Sequence, residues 1–305
     1  DVRPNDDGLP ADPTDGLPGP GIPTFEEIAG MRTPMVARIP REARTAVGMA
    51  FNWTASKLHA SDATGFLRLA AFAKCILGRP SSEPCSLGRT IIKRTVLWKR
   101  PGGFETLWSD AVAAAARRPP FQPSQDERFT VDEGDHDASR TWLNTAVDVD
   151  TLAPGVARQV TAMASRGHFS KAVMRMSAAK VAVADASATA EMERKHPASA
   201  VPELPEPVDL PVESPTKRKV RNTLRQFTLG SAAGLSGLTS QHLLDMTYCP
   251  GDSVYAALGA ISARFAAGAI PQLARPFFFG ARLVGLVKAD GSLRPVACGD
   301  VLRRL

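Results

Sequence analysis

Residues 280–305 read GARLVGLVKADGSLRPVACGDVLRRL, and this stretch decides how the second half of the chain is interpreted. One apolar run leads through Lys288 into the polar segment ADGS at 289–292, and a second run leaves through Arg294 and a proline. An Asp-Gly pair between two such runs is a strong hairpin signal. The sequence therefore predicts a β-hairpin with Lys288 and Arg294 at its tip.

The length of the hairpin loop decides whether these two cations act together, because side chains alternate between the faces of a strand. A two-residue turn at Asp290-Gly291 would place Lys288 and Arg294 on opposite faces. A three-residue loop at 290–292, or a five-residue loop at 289–293, would set Lys288 directly across from Arg294. We expect an odd loop with both cations exposed on one face, an arrangement that suits an incoming anion.

The composition narrows the class of protein. The chain has 305 residues, 44% of them hydrophobic, which is enough to build cores in two domains. It has no apolar run of membrane-spanning length, and its first residues are polar and acidic, unlike a signal peptide. We therefore expect a soluble intracellular protein of the nucleus or cytoplasm with no membrane partner. The four cysteines form no C-x-x-C pair, so neither a disulfide framework nor a zinc site is predicted.

The net charge of +6 is distributed in blocks of alternating sign. Residues 31–120 carry 15 bases against 5 acids, and residues 217–305 carry 12 bases against 4 acids. Residues 121–150 carry 8 acids against 2 bases. Basic folded blocks favour a polyanionic partner, because each cation near a phosphate releases counterions. Ordinary solvated surface charge is the alternative reading of the same pattern.

Proline and acid content mark the joints between these blocks. The predicted divisions are a disordered linker at 1–25, a helical N-terminal extension at 26–120, an acidic linker at 121–150, short helices at 151–196, a proline-rich linker at 197–216 and a final block at 217–305. Apolar residues at helical spacing predict the helices, most clearly in 41–60 (inward Ala43, Val47, Ala50, Phe51, Thr54 and Leu58), 62–78 (Asp62 as N-cap, inward Phe66, Leu69, Phe72, Ala73 and Ile76), 104–118 (inward Phe104, Leu107, Trp108 and Val112), 152–165, 170–182, 185–195, 217–227 and 253–268 (inward Val254, Leu258, Ile261 and Phe265).

The final block also carries a resemblance to a known family. It contains AGLSGL at 233–238, QHLL at 241–244, KADG at 288–291 and RPV at 294–296. In this order and spacing the residues resemble the start of the reverse transcriptase domain of non-LTR retrotransposon-type polymerases, RNA-directed DNA polymerases. Further matches are ARLV at 281–284 and VLRRL at 301–305, with looser similarity at 72–80, 107–111 and 166–178. Leu235 departs from the proline that members often have in the glycine-rich loop.

The resemblance implies a fold, a function and site residues. The fold would be a mainly α-helical N-terminal region followed by the start of an α/β reverse transcriptase fingers subdomain with a β-hairpin, an incomplete domain. Lys288 and Arg294 would bind the triphosphate of the incoming dNTP. The basic residues expected to contact the RNA template and DNA primer are Lys217, Arg218, Lys219, Arg221, Arg303 and Arg304.

Catalysis in this family depends on palm aspartates that hold two Mg²⁺ ions. The sequence up to Leu305 offers no such pair, since Asp245, Asp252, Asp290 and Asp300 are expected in cap and turn contexts, Asp300 as the N-cap of VLRRL. We therefore expect an N-terminal fragment that binds no Mg²⁺ itself, the metal belonging to the complete polymerase. The alternative is a non-catalytic basic helical module that binds RNA or DNA, although the 6% aromatic content argues against base stacking.

Overall fold

A computed structural model describes residues 21–59, 62–80, 86–117, 180–182, 185–196, 213–227, 232–288 and 291–305, with isolated positions between 157 and 164. Within these ranges the chain is mostly helical, with an antiparallel sheet completed near its C-terminal end. The ten α-helices of this part are α1 Phe25–Gly30, α2 Arg44–Ser56, α3 Ala63–Leu77, α4 Leu87–Trp98, α5 Gly103–Ala116, α6 Ala186–Lys195, α7 Lys217–Gln226, α8 Ser240–Met246, α9 Ser253–Ala266 and α10 Arg275–Phe279. The strands are β1 Lys180–Val181, β2 Ala281–Val287 and β3 Leu293–Gly299.

Periodicity correctly predicted the buried faces of the long helices. All six inward positions predicted in 41–60 are buried, as are those of α3 and α9. The Asp62 carboxylate accepts a hydrogen bond from the backbone N–H of Thr64 at 2.8 Å, which confirms Asp62 as the N-cap of α3. Gly268 follows α9 with φ +65°, a conformation that glycine adopts without steric cost.

Helix α4 was not predicted, although Ser86 caps it by accepting a hydrogen bond from the backbone N–H of Arg89. Its last residue, Trp98, is fully buried and donates from Nε1 to Thr54 Oγ1 at 2.8 Å. The indole ring meets Phe72 and Phe104 edge to face, with centroids 5.7 and 5.2 Å apart. These contacts join α2, α3, α4 and α5 around one aromatic centre.

Val112 in α5 contradicts one of the predicted inward positions, because it is 43% exposed. Phe104, Leu107 and Trp108 are buried as predicted, all in the first half of the helix. The second half of α5 extends past the core and continues as an alanine-rich run. Helical spacing alone does not show where a helix leaves the core.

Buried side chains from 25–108 and from 220–302 share one hydrophobic core, which does not include Leu286 and Leu293 of the hairpin. Phe278 of α10 makes this junction, since its ring lies 6.1 Å from that of Phe66 in α3 and 5.2 Å from that of Phe265 in α9. The helical extension and the block that carries the family resemblance are therefore packed directly together. The acidic linker 121–150, and most of the linkers 1–25 and 197–216, lie outside the described residues.

The sheet has the order β1-β2-β3, and both pairings are antiparallel. Strand β1 occupies 180–181, so the end of the helix predicted for 170–182 is wrong. Pairing with β2 overrides local helical preference at these two residues. The rest of that predicted helix, and most of the one at 152–165, lie outside the described residues. The helix predicted for 185–195 is confirmed as α6, capped by Asp185.

Candidate nucleotide and nucleic-acid interface

The hairpin register confirms the odd connection between the strands. Val287 pairs with Leu293, and five residues separate them. One step further out, the Lys288 N–H donates to the carbonyl of Ser292 at 2.8 Å, and the Gly291 N–H donates to the carbonyl of Lys288 at 3.0 Å. Gly291 has φ +80°, as expected at the left-handed position of a three-residue loop. The loop is therefore 289–291, of which 289 and 290 lie outside the described residues.

This register places Lys288 and Arg294 on the same face of the hairpin, and both side chains are exposed. They are not directly opposite each other, which corrects the predicted pairing: Lys288 faces Ser292, and Arg294 faces Leu286. The difference arises because Gly291 takes the left-handed position and shifts the turn one residue toward the N-terminus. Lys288 and Arg294 are then diagonal neighbours, about 7–8 Å apart at the backbone and within reach of one polyphosphate.

Helix α6 holds the outer edge of β3 close to the tip. The Glu191 carboxylate accepts a hydrogen bond from the Leu293 N–H at 2.9 Å, while the Lys195 ammonium donates to the Leu293 carbonyl. Glu191 and Lys195 also pair with each other at 2.7 Å. The hydrogen bond from Lys195, and then that from Leu293, lowers the pKa of Glu191. Both edge groups of Leu293 are therefore satisfied, and the tip is fixed to a helix outside the final block.

The base of the hairpin is fixed by the fully buried Asp300. Its carboxylate accepts hydrogen bonds from the Ser236 N–H at 3.2 Å and the Leu302 N–H at 3.0 Å, which confirms Asp300 as the cap of the 3₁₀ helix Val301–Arg304. Burial raises the pKa of Asp300. A Cβ atom on Gly234 would lie 2.5 Å from the Asp300 Cα. The glycine-rich loop therefore packs against Asp300, and its Ser236 N–H binds the Asp300 carboxylate.

The basic helix α7 presents two of its predicted nucleic-acid contacts to solvent. Arg218 and Lys219 are exposed, while Val220 and Leu224 are buried on the opposite face. Lys217 pairs instead with Asp252. Asp252 stands at the N-cap position of α9 as predicted, but its side chain makes no capping hydrogen bond there. Lys217 is therefore partly neutralised. Arg218 and Lys219, and Arg225 near the C-terminal end of the helix, are exposed and have no acidic partner among the described residues.

Of the remaining predicted contacts, Arg303 and Arg304 have structural partners, and Arg221 is half-buried. The Nε of Arg221 is buried and has no hydrogen-bond acceptor among the described residues. Arg303 donates to the carbonyl of Phe279, and the Arg304 guanidinium lies 4.9 Å from the centre of the Phe227 ring. An open cleft of about 370 Å³ lies between α7 and Leu305 and is lined in part by Lys219. The structure thus brings α7 and the last residues together and places the hairpin cations on a separate element.

Comparison with protein-family models, curated proteins and solved structures finds no significant match. Among the described residues, no helix combines the length and apolar character needed to cross a bilayer. The same part of the chain holds no cluster of three His, Cys, Asp or Glu side chains able to bind a metal ion. The polymerase, its Mg²⁺ ions and its nucleic-acid and dNTP partners therefore stay predictions.

Two polar residues of the block resembling the family have structural roles that the sequence did not indicate. His242 in α8 is fully buried, and its Nε2 lies 2.6 Å from the carbonyl of Val36. Its Nδ1 accepts from the Thr239 N–H at 3.3 Å, so Nε2 carries the proton and donates to Val36. Burial lowers the pKa of His242, which keeps the ring neutral.

Asp245, one turn after His242, is also fully buried. Its carboxylate accepts from the Ile39 N–H at 2.9 Å and from Gln241 Nε2 at 3.1 Å, and it pairs with Arg44 at 3.0 Å. Asp245 is therefore inside a helix, which corrects the cap or turn context predicted for it. The signal that could have indicated this contact between α8 and residues 36–44 is a histidine and an aspartate on the apolar face of a short helix. We call the contact the α8 seam (Val36, Ile39, Arg44, His242 and Asp245).

Proposed function

We propose that this chain is part of an RNA-directed DNA polymerase of the non-LTR retrotransposon type, in which the hairpin binds the triphosphate of the incoming dNTP. The observation that supports this role is the shared, exposed face of Lys288 and Arg294 at the tip of the hairpin. An ammonium and a guanidinium within one polyphosphate length can neutralise it jointly.

The surroundings of the hairpin support the same role. A triphosphate-binding element must hold its cations in place before the anion arrives, because ordering them on binding costs free energy. Here α6 fixes the outer edge of β3 through Leu293, and Asp300 fixes the base. The tip itself projects its two cations into solvent. A hairpin that is fixed at its edge and base and carries two exposed cations on one face is suited to electrostatic binding of a mobile anion.

The test is binding of a deoxynucleoside triphosphate and the matching monophosphate to the whole chain, measured by equilibrium dialysis. The wild type should prefer the triphosphate. In the double variant Lys288→Ala/Arg294→Ala, that preference should fall by about tenfold or more, since a hydrogen bond to a charged group contributes about 1.5–3 kcal/mol.

The matched control is Lys99→Ala/Arg100→Ala, which removes the same charge from two exposed residues between α4 and α5. It should leave the preference for the triphosphate unchanged. An equal loss in the control would assign the binding to net charge, and an unchanged preference in the hairpin variant would remove the triphosphate role from Lys288 and Arg294.

A second candidate function is a basic helical module that binds RNA or DNA without polymerase descent, favoured by the exposed Arg218 and Lys219 of α7. Such a module binds backbone phosphate without sequence preference. Its affinity should fall steeply between about 50 and 200 mM salt. Two results together would support the module over the polymerase. The hairpin variant would still bind RNA with the same salt dependence as the wild type, and the wild type would show no preference for the triphosphate over the monophosphate.

A further inference from the structure

A second basic surface lies at the start of α2 and contains none of the residues predicted to contact nucleic acid. Arg41, Arg44, Thr45 and Tyr248 line an open cleft of about 330 Å³. Arg41 stands in the 3₁₀ turn before α2, and Tyr248 follows the C-terminal end of α8. The α8 seam holds these two elements together, so the cleft is a product of the tertiary fold.

Arg44 is the internal support of this cleft. Its Nε donates to the Ile39 carbonyl at 3.1 Å, and its guanidinium pairs with Asp245 at 3.0 Å. The guanidinium carbon also lies 4.6 Å from the centre of the Tyr248 ring. The Ile39 carbonyl and the Asp245 carboxylate hold the Arg44 side chain in place against one face of the Tyr248 ring. The positive charge of Arg44 is offset by the buried carboxylate of Asp245.

The outer part of the cleft combines an exposed aromatic ring with the exposed guanidinium of Arg41. Tyr248 is 68% exposed, so a large part of its ring is open to a ligand. Arg41 is exposed and has no partner among the described residues. Arg38 lies outside the lining of the cleft; it is 67% exposed and forms a second, longer ion pair with Asp245 at 3.9 Å. The neighbouring carboxylate, Glu42, points away and packs against Gly88 of α4.

We propose that this surface binds single-stranded nucleic acid, with one base stacked on Tyr248 and the adjacent phosphates on Arg38 and Arg41. A base presents a flat π-face to Tyr248, while an acidic peptide carries charge for the arginines and lacks a group for the ring. The low aromatic content predicted no base stacking, yet the fold exposes a tyrosine beside two arginines. This site is independent of the hairpin and does not require triphosphate binding there.

The test uses fluorescence anisotropy of the whole chain with two labelled probes of about 12 nucleotides, oligouridylate and an abasic oligomer with the same phosphate backbone. Tyr248→Ala should weaken oligouridylate binding about fivefold or more and leave abasic binding unchanged. Tyr248→Phe, which keeps the ring, should bind both probes like the wild type. Arg41→Ala should weaken binding of both probes and lower the salt slope by about 0.7.

Lys99→Ala is the matched control, because it removes one exposed cation from another surface and should reduce the affinity for either probe less than Arg41→Ala does. Equal loss of both probes in Tyr248→Ala, or no loss of either, would overturn the stacking site. Binding of an oligoglutamate peptide with the affinity of oligouridylate and the same dependence on Tyr248 would also overturn it and identify an acidic protein segment as the ligand. Loss of triphosphate binding in the hairpin variant leaves these outcomes unaffected.

Discussion

The α8 seam and the hairpin tip both draw polar side chains from the final block, 217–305, and use them in opposite ways. At the seam, His242 and Asp245 are fully buried, with partners 206 residues earlier in the chain. At the tip, Lys288 and Arg294 are exposed and form no part of the core. A polar residue within a family-like motif is therefore not by itself a candidate for binding. Burial separates the residues that build the fold from those that a ligand can reach.

The largest effect is expected at Asp245. Asp245→Ala removes the acceptor of the Ile39 N–H and leaves the Arg44 guanidinium poorly solvated and without its carboxylate. Breaking a buried ion pair on one side costs about 3–5 kcal/mol. Urea unfolding should show this loss in the free energy of unfolding. A change below about 1 kcal/mol would mean that water or another group replaces the carboxylate, and the seam would lose its structural importance.

Gly234→Ala tests how tightly the base of the hairpin is packed. The new Cβ would lie 2.5 Å from the Asp300 Cα and 2.6 Å from its nitrogen, so the backbone must move. Overpacking of this kind costs about 1–3 kcal/mol. Gly30→Ala is the control, because an added Cβ there meets nothing within 4 Å. Thermal melting of the two variants should differ clearly, and equal melting temperatures would contradict the close contact between the loop and Asp300.

The seam should also be sensitive to acid. Because the pKa of His242 is lowered from 6.5 in the folded protein, the unfolded chain takes up the proton more readily. The stability that the neutral ring contributes is complete above pH 6.5 and is lost as the pH falls from that value toward the folded pKa. His242→Gln cannot take up this proton. Between about pH 7.5 and about pH 5.5, the melting temperature of the wild type should therefore fall more than that of His242→Gln. If the melting temperatures of the two proteins fell equally with pH, protonation of the His242 ring would not destabilise the folded state.

The smallest effect is expected at the tip. Lys288→Ala/Arg294→Ala should change the free energy of unfolding by no more than about 0.5 kcal/mol per residue, as at other exposed sites. Removing two neighbouring cations also relieves mutual repulsion. Urea unfolding at low salt gives the value, with Asp245→Ala measured alongside. A loss approaching that of Asp245→Ala would show that the two cations stabilise the fold, and the contrast between tip and seam would fail.

Helices that bury one face were predictable, and contacts between distant segments were not. The apolar spacing of α2, α3 and α9 predicted their buried positions because each helix lies against the core along most of its length. Helix α4 was missed, since it is rich in basic and β-branched residues and buries few side chains. Cap residues such as Asp62 and Asp300 were found because capping is a local interaction.

For the candidate site, the sequence predicted the hairpin, its odd loop and the shared face of Lys288 and Arg294. It did not predict the exact register, which depends on the residue that takes the left-handed turn position, here Gly291. The edge contacts of Leu293 and the cleft beside Tyr248 join residues roughly a hundred or two hundred positions apart. No local pattern encodes such pairs, so they required the three-dimensional structure.

The 206-residue separation across the α8 seam also has a consequence for protein synthesis. A ribosome that adds about 5–20 residues per second needs roughly 10–40 seconds to make the chain between Ile39 and Asp245. During that interval the nascent α2 lacks α9, against which it packs in the finished protein. The part of its apolar surface that faces α9 is then exposed to water and available to chaperones. The aromatic centre of α2–α5 lies within residues 51–104, but the part of the core shared by α2 and α9 can close only after the C-terminal block has been made.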